Sequence, residues 1–208
     1  MDVLVVTGGI GSGKSEVCSI LMDVYGCGVY EADSRVKTLY SIHPTLLNDI
    51  EVALGEGFRD SEDKFSPSLL SARIFSDRNA LEKVEELVFP ALLDDFETWK
   101  QDHADDKFVV FESATILEKP YFKDFGDKTI LIDAPFETRL LRASGRDNVS
   151  QESILARMMN QKLMNRISEG EEAPEVDAVI YNYDGVGELR HQVVLTVNEL
   201  YGLKTDIN

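Results

Sequence analysis

The segment Gly8-Gly9-Ile10-Gly11-Ser12-Gly13-Lys14-Ser15 constrains this chain more than any other. It satisfies G-x-x-x-x-G-K-[ST], and both flanks agree with it. Residues 2–7 (DVLVVT) are almost wholly apolar and β-branched, whereas residues 14–24 carry Val17, Ile20, Leu21 and Val24 at helical spacing. A strand buried on both faces, a glycine turn and a helix should therefore follow one another. Glycines let the backbone close around phosphate oxygens with its N–H groups pointing inward, and the helix N-terminus adds partial positive charge. The segment reads as a phosphate-binding loop, a P-loop. An incidental lysine in a glycine-rich turn would need neither flank.

Downstream, apolar runs alternate with helical patterns. Val29 and Tyr30 read as a short strand that leads to Glu31-Ala32-Asp33, and residues 108–111, 129–133 (TILID) and 178–181 read as further strands. Helices are expected over 14–24, 137–143, 151–164 and 188–201. Such alternation predicts an α/β fold with a mostly parallel sheet. Two stretches interrupt it. Residues 34–104 are a long, mainly helical excursion with breaks near Pro44, 55–57 and Pro67. Residues 142–175 carry Arg142, Arg146, Lys162 and Arg166, then the acidic run SEGEEAPE. The expected organisation is a core of residues 1–33, 105–141 and 176–208 with these two inserted pieces.

A formal charge of −17 argues against a nucleic-acid partner, which requires a basic face. Attraction for polyphosphate must then be local, from backbone N–H groups, a few Lys and Arg side chains and a metal ion. No run of about eighteen apolar residues exists to span a membrane. The N-terminal apolar run is too short for a secretion signal. Cys18 and Cys27 are the only cysteines and have no spacing for a disulfide framework or zinc site. A cytoplasmic protein, monomeric or a small homo-oligomer, is the expectation.

Other P-loop classes fit less well. A guanine-nucleotide switch would carry D-x-x-G and N-K-x-D; the nearest approach, Asn182-Tyr183-Asp184-Gly185, stands near the end of the chain. A motor or transporter ATPase would be longer, with a Walker-B acid; Asp133 follows an apolar run but precedes Ala134-Pro135 and a helix. Small-molecule kinases combine a short core, an acceptor-binding insert and an arginine-bearing lid, and this layout matches them. ATP is then the co-substrate and Mg²⁺ the metal, with Lys14 reaching the β- and γ-phosphates and the Ser15 hydroxyl ligating Mg²⁺.

Other candidates keep two readings each. Asp33 could orient the acceptor hydroxyl and take its proton, or cap the helix that follows. Arg142 and Arg146, four apart on one helix face, could meet the phosphates or form surface ion pairs with Glu137, Asp147 or Glu152. Glu112 and Glu118 could reach the metal or acceptor, or lie on the surface. His43, His103 and His191 read as ordinary surface residues, and Phe89, Phe96 and Trp99 as insert core.

The ordered set of motifs resembles the dephospho-coenzyme A kinase family over nearly the whole chain. The opening T-G-G-I-G-S-G-K-S looks like that family's, and Glu31-Ala32-Asp33 stands where it has Asp-Ala-Asp. An apolar strand ends at Asp133, and Arg142-Ala143-Ser144-Gly145-Arg146-Asp147 matches its R-x-x-x-R-D lid entry. Gln161 and the strand-ending Asn182 follow in order. Departures are Glu16 for a usual Thr, Val88-Phe89-Pro90 for Leu-His-Pro, and residues 114–118 (ATILE) for Pro-Leu-Leu-Phe-Glu. The resemblance implies a P-loop NTPase three-layer core, a helical acceptor domain at 34–104 and a helical lid at 142–175. It implies catalysis by Lys14, Asp33 and Arg142. Nucleotide binding falls to Gly9, Ile10, Gly11, Ser12, Gly13, Lys14, Ser15, Glu16, Arg146 and Asn182, and a metal ligand is Ser15. The acceptor would be dephospho-coenzyme A.

Overall fold

The N-terminal apolar run forms β1 (Asp2–Gly8) in a computed structural model that describes residues 1–147, 150–168, 175–183 and 186–203. On one side β1 pairs in parallel with β3 (Phe108–Glu112), and on the other with β4 (Lys128–Asp133). β5 (Ala178–Tyr181) lies in parallel beyond β4, and β2 (Val29–Glu31) flanks β3, giving the order β2-β3-β1-β4-β5 in a five-stranded sheet. β1 is thus the central strand, which explains why its sequence does not alternate: Val3, Leu4, Val5 and Val6 are all buried.

Two helices cover one face. α1 (Lys14–Tyr25) buries Val17, Cys18, Ile20 and Leu21, and α9 (Val186–Tyr201) buries Leu189, Val193 and Val197. These side chains share one core with Leu4, Val6, Phe108, Val110, Ile130 and Ile132, the alternate residues of three strands. On the other face Phe111 stacks on Tyr30 and meets Phe125 edge-on at 4.8 Å. α1 stops at Gly26, which takes φ 64° and returns its N–H to Met22 O at 2.9 Å.

The chain divides into two compact units, Met1–Tyr30 with His103–Asn208, and Glu31–Asp102. The second is helical: α2 (Ala32–Ile42), α3 (Leu46–Leu54), α4 (Pro67–Ser76) and α5 (Arg78–Gln101). Gly55 ends α3 and Pro67 opens α4, near the expected breaks. Asp77 caps α5 by accepting from Asn79 N and Ala80 N. Phe96 is fully buried and stacks on Trp99, with Phe89 half-buried on the same helix, so these rings belong to the unit's core. Arg35 grips Asp95 through two bonds of 2.6 and 2.7 Å.

Several local expectations need correction. Residues 151–164 form two helices, α7 (Gln151–Met159) and α8 (Lys162–Ser168). The break at Asn160-Gln161 turns Gln161 inward, where it is buried. α6 (Phe136–Asp147) continues beyond the expected residue 143. Two histidines have structural partners: His43 Nδ1 accepts from Leu46 N at the start of α3, and His103 pairs with Asp106, which also accepts from Gly28 N. Residues 148–149 and 169–174 of the expected lid, and 184–185 of the N-Y-D-G segment, lie outside the described residues. No described helix is long and apolar enough to cross a membrane.

Leu21→Ala should lower unfolding stability by about 2–5 kcal/mol, the usual span for emptying a buried Leu site, and urea denaturation followed by circular dichroism measures it.

Candidate active site

The chain leaves β1 at Gly8, turns through Ser12 N–H donating to Gly9 O at 3.1 Å, and enters α1 through Gly13. Gly13 holds φ 104°, a conformation other residues resist, and a Cβ there would lie 2.1 Å from Asn182 Nδ2. Gly9 is needed for approach: its Cβ would lie 2.2 Å from Arg139 Nη2. Lys14 and Ser15 then fall in the first turn of α1, where the N–H groups without helical partners and the helix dipole favour an anion.

A cavity of about 160 Å³ opens at this turn, lined by Gly11, Gly13, Lys14, Ser15, Arg142, Ala143 and Arg146. The geometry therefore brings together four side chains singled out from sequence: Lys14, Ser15, Arg142 and Arg146. Lys14 Nζ rests 3.5 Å from Glu112 Oε1, with both side chains close to nine-tenths buried. Glu112 ends β3 beside Val6, so adjacent strands place this pair. Glu118 is drawn elsewhere and accepts from Leu163 N at 3.1 Å. Ser15 and Glu16 are exposed.

Asn182 is buried just after β5. Its Nδ2 donates to Ser12 O at 2.8 Å and its backbone N–H to Asp133 O at 2.8 Å. Arg142 Nη1 donates to Asn182 O at 3.4 Å. The asparagine side chain thus braces the loop from outside the cavity. Asp33 belongs to the helical unit, in the first turn of α2, and is exposed. Glu31, not Asp33, occupies the helix cap position, and it makes no side-chain cap bond. The capping alternative for Asp33 is therefore set aside.

Two residues absent from the sequence-derived set hold Ile10. Gln161 Oε1 accepts from Ile10 N at 2.8 Å, and Arg139 Nε donates to Ile10 O at 3.1 Å. The Ile10 side chain packs on the small core of Ala143, Ile154 and Met158. Gln161 was visible as a motif glutamine, though its loop contact was not. Arg139 carried no signal beyond its spacing of three from Arg142. It is fully buried, its Nη1 and Nη2 have no hydrogen-bond partner among the described residues, and burial pulls its pKa down while Asp133 opposes that shift.

The sequence model of the dephospho-CoA kinase family matches residues 3–187. The chain belongs to that family. A dephospho-CoA kinase from Bacteroides fragilis (strain YCH46) is 32% identical over 196 residues, covering 94% of this chain and 91% of that one. Its counterpart from Porphyromonas gingivalis is 35% identical over 162 residues, covering 78% of each. Among solved structures, TT1252 from Thermus thermophilus superposes with a TM-score of 0.79 at 23% identity, covering 98% of both chains. Dephospho-CoA kinase from Campylobacter jejuni superposes with a TM-score of 0.61 at 20% identity, covering 95% of this chain and 96% of that one. These likenesses show the fold, a P-loop NTPase α/β fold. Family membership makes the chain an ATP-dependent phosphotransferase acting in the last step of coenzyme A biosynthesis, phosphorylation of the ribose 3′-hydroxyl of dephospho-CoA.

Asn182→Ala should weaken ATP binding roughly tenfold without unfolding the chain, because a buried carbonyl left unpaired costs about 1–3 kcal/mol. Gly13→Ala should be worse, and adding Asn182→Ala should not rescue it, since the strain at φ 104° survives removal of the clash. Titration calorimetry with ATP on the three variants measures both.

Proposed function

We propose that the cavity at the start of α1 receives the β- and γ-phosphates of ATP, and that Lys14, Arg142 and Asp33 serve the transfer. The observation that carries this reading is the convergence of Lys14, Ser15, Arg142 and Arg146 on one cavity. In a chain of charge −17, three cations on one small cavity call for an anionic ligand. Glu112 holds Lys14 in the free protein, and polyphosphate would draw it away to bridge the transferred group. Gly9, Ile10, Gly11, Ser12 and Gly13 shape the cradle, and Asn182 fixes it. Arg142 and Arg146 would meet charge growing on the phosphoryl oxygens. Glu16 adds an exposed negative charge beside the cradle.

Transfer proceeds by attack of the acceptor 3′-oxygen on the γ-phosphorus while the bond to the β-phosphate oxygen breaks, giving ADP and coenzyme A. The hydroxyl proton passes to Asp33, a role supported by the family resemblance and by its exposed carboxylate. The residues suit Mg²⁺. No cluster of three or more His, Cys, Asp or Glu occurs among the described residues, and Mg²⁺ bound to nucleotide needs only one or two protein oxygens. Ser15 would supply one, and the ion would offset phosphate charge. Residues 34–104 would carry the acceptor, and 142–175 would close over both substrates and exclude water. Cys18 and Cys27 are buried thiols outside any disulfide, with Cys27 pushed up to about 11 by burial, which supports a reducing cytoplasmic setting.

ADP release that depends on dephospho-CoA, and not on nucleoside monophosphates or sugars offered in its place, tests the reading as a whole. Lys14→Ala should reduce turnover on the order of 10²–10³, as expected for loss of one well-placed electrostatic group. Near-normal turnover would remove the P-loop from the mechanism. Asp33→Asn should reduce turnover by roughly 10²–10⁴ while leaving ATP affinity nearly unchanged, because the amide keeps the shape but accepts no proton. An unimpaired rate would take the proton-accepting role away from Asp33.

A further inference from the structure

Arg139 is the least expected feature of the phosphate-binding region. It sits in the first turns of α6, has no exposed surface, and presses its guanidinium against Gly9. Among the described residues only Nε finds a partner, the carbonyl of Ile10, and Nη1 and Nη2 have none. It makes no ion pair among the described residues. Asp133, the acid whose field reaches it, receives bonds from Ala134 N and Tyr183 Oη instead. Nor does Arg139 line the phosphate cavity. A guanidinium stays protonated in proteins, and a buried cation lacking a counter-ion destabilises the state that contains it. Directly behind the loop backbone there is therefore a buried positive charge that no ion pair among the described residues neutralises, and that the field of Asp133 offsets only in part.

We infer that Arg139 is an affinity-setting residue for the polyphosphate of the nucleotide: a cation that acts through the loop without touching the ligand, and whose burial is compensated only when anionic phosphates occupy the opposite side. This rests on the P-loop reading and deepens it. The residue stabilises the nucleotide-bound protein at the expense of the free one. Its effect grows with phosphate charge, so it favours ATP and ADP over AMP and ignores the base. The low-dielectric surroundings that make the charge unfavourable in the free state also let its field reach across a single layer of backbone. Glycine at position 9 is what permits that proximity, since a Cβ would displace the guanidinium.

The test compares Arg139→Met, which removes the charge, with Arg139→Lys, which keeps it but loses the planar fork. Thermal melts without nucleotide and calorimetric titrations with ATP, ADP and AMP are run on both and on the wild type. The expected result has three parts. The Met variant melts a few degrees above the wild type when free. It binds ATP at least tenfold more weakly, with a smaller loss for AMP. The Lys variant keeps most of the ATP affinity. A Met variant that melts below the wild type in the free state overturns the inference, because that is how a structural brace behaves. Equal losses for ATP and AMP, or a Lys variant as weak as the Met variant, overturn it as well. The wild-type titration stands apart: failure to bind ATP at all would remove the P-loop reading itself.

Discussion

Everything at this site depends on one backbone turn holding its shape with almost no hydrogen bonds of its own. The loop between β1 and α1 closes one internal bond, from Ser12 to Gly9, and its remaining support comes from distant side chains. Gln161 takes the amide of Ile10, Arg139 its carbonyl, and Asn182 the carbonyl of Ser12. Those three groups come from α6, the break before α8 and the end of β5. Backbone atoms that must stay free for phosphate cannot also be used to hold the loop, so the bracing falls to groups on its other side.

The same division of labour orders the charges. Lys14, Arg142 and Arg146 line the cavity, where solvent moderates their repulsion, and Glu112 keeps Lys14 paired. Arg139 lies behind, buried and without an ion pair among the described residues, and only the field of Asp133 offsets its charge. Gathered cations of one sign repel one another, and on the proposed reading the polyphosphate of the nucleotide would relieve that repulsion. A net charge of −17 does not contradict this, because the acids are spread over the chain while these cations are gathered at one strand end.

The architecture was readable because each element announces itself locally. β1 is apolar on both faces because it is central, and α1 shows its buried stripe at helical spacing. The cavity residues Lys14, Ser15, Arg142 and Arg146 were readable because each stands in a motif. What could not be read depends on tertiary position. The helix pattern over 151–164 hides its break, since neither Asn160 nor Gln161 stops a helix by itself and it is the tertiary bonds to Ile10 and Ala114 that hold Gln161 inward. Arg139 looks like any solvated arginine on an amphipathic helix until α6 is docked on the loop. His43 and His103 looked like free surface groups because their partners are backbone N–H groups and one nearby aspartate.

The braces also set an order of events during synthesis. Ile10 waits 129 residues for Arg139 and 151 for Gln161, and Ser12 waits 170 for Asn182. A ribosome adding roughly 5–20 residues per second leaves the loop without these braces for several seconds or more after it is made. The loop is encoded well before the groups that complete its support, the last of which follows Ser12 by 170 residues. A nascent chain stalled before Asn182 would display the loop's full sequence without this brace, and so would hold ATP more weakly than the finished cradle does.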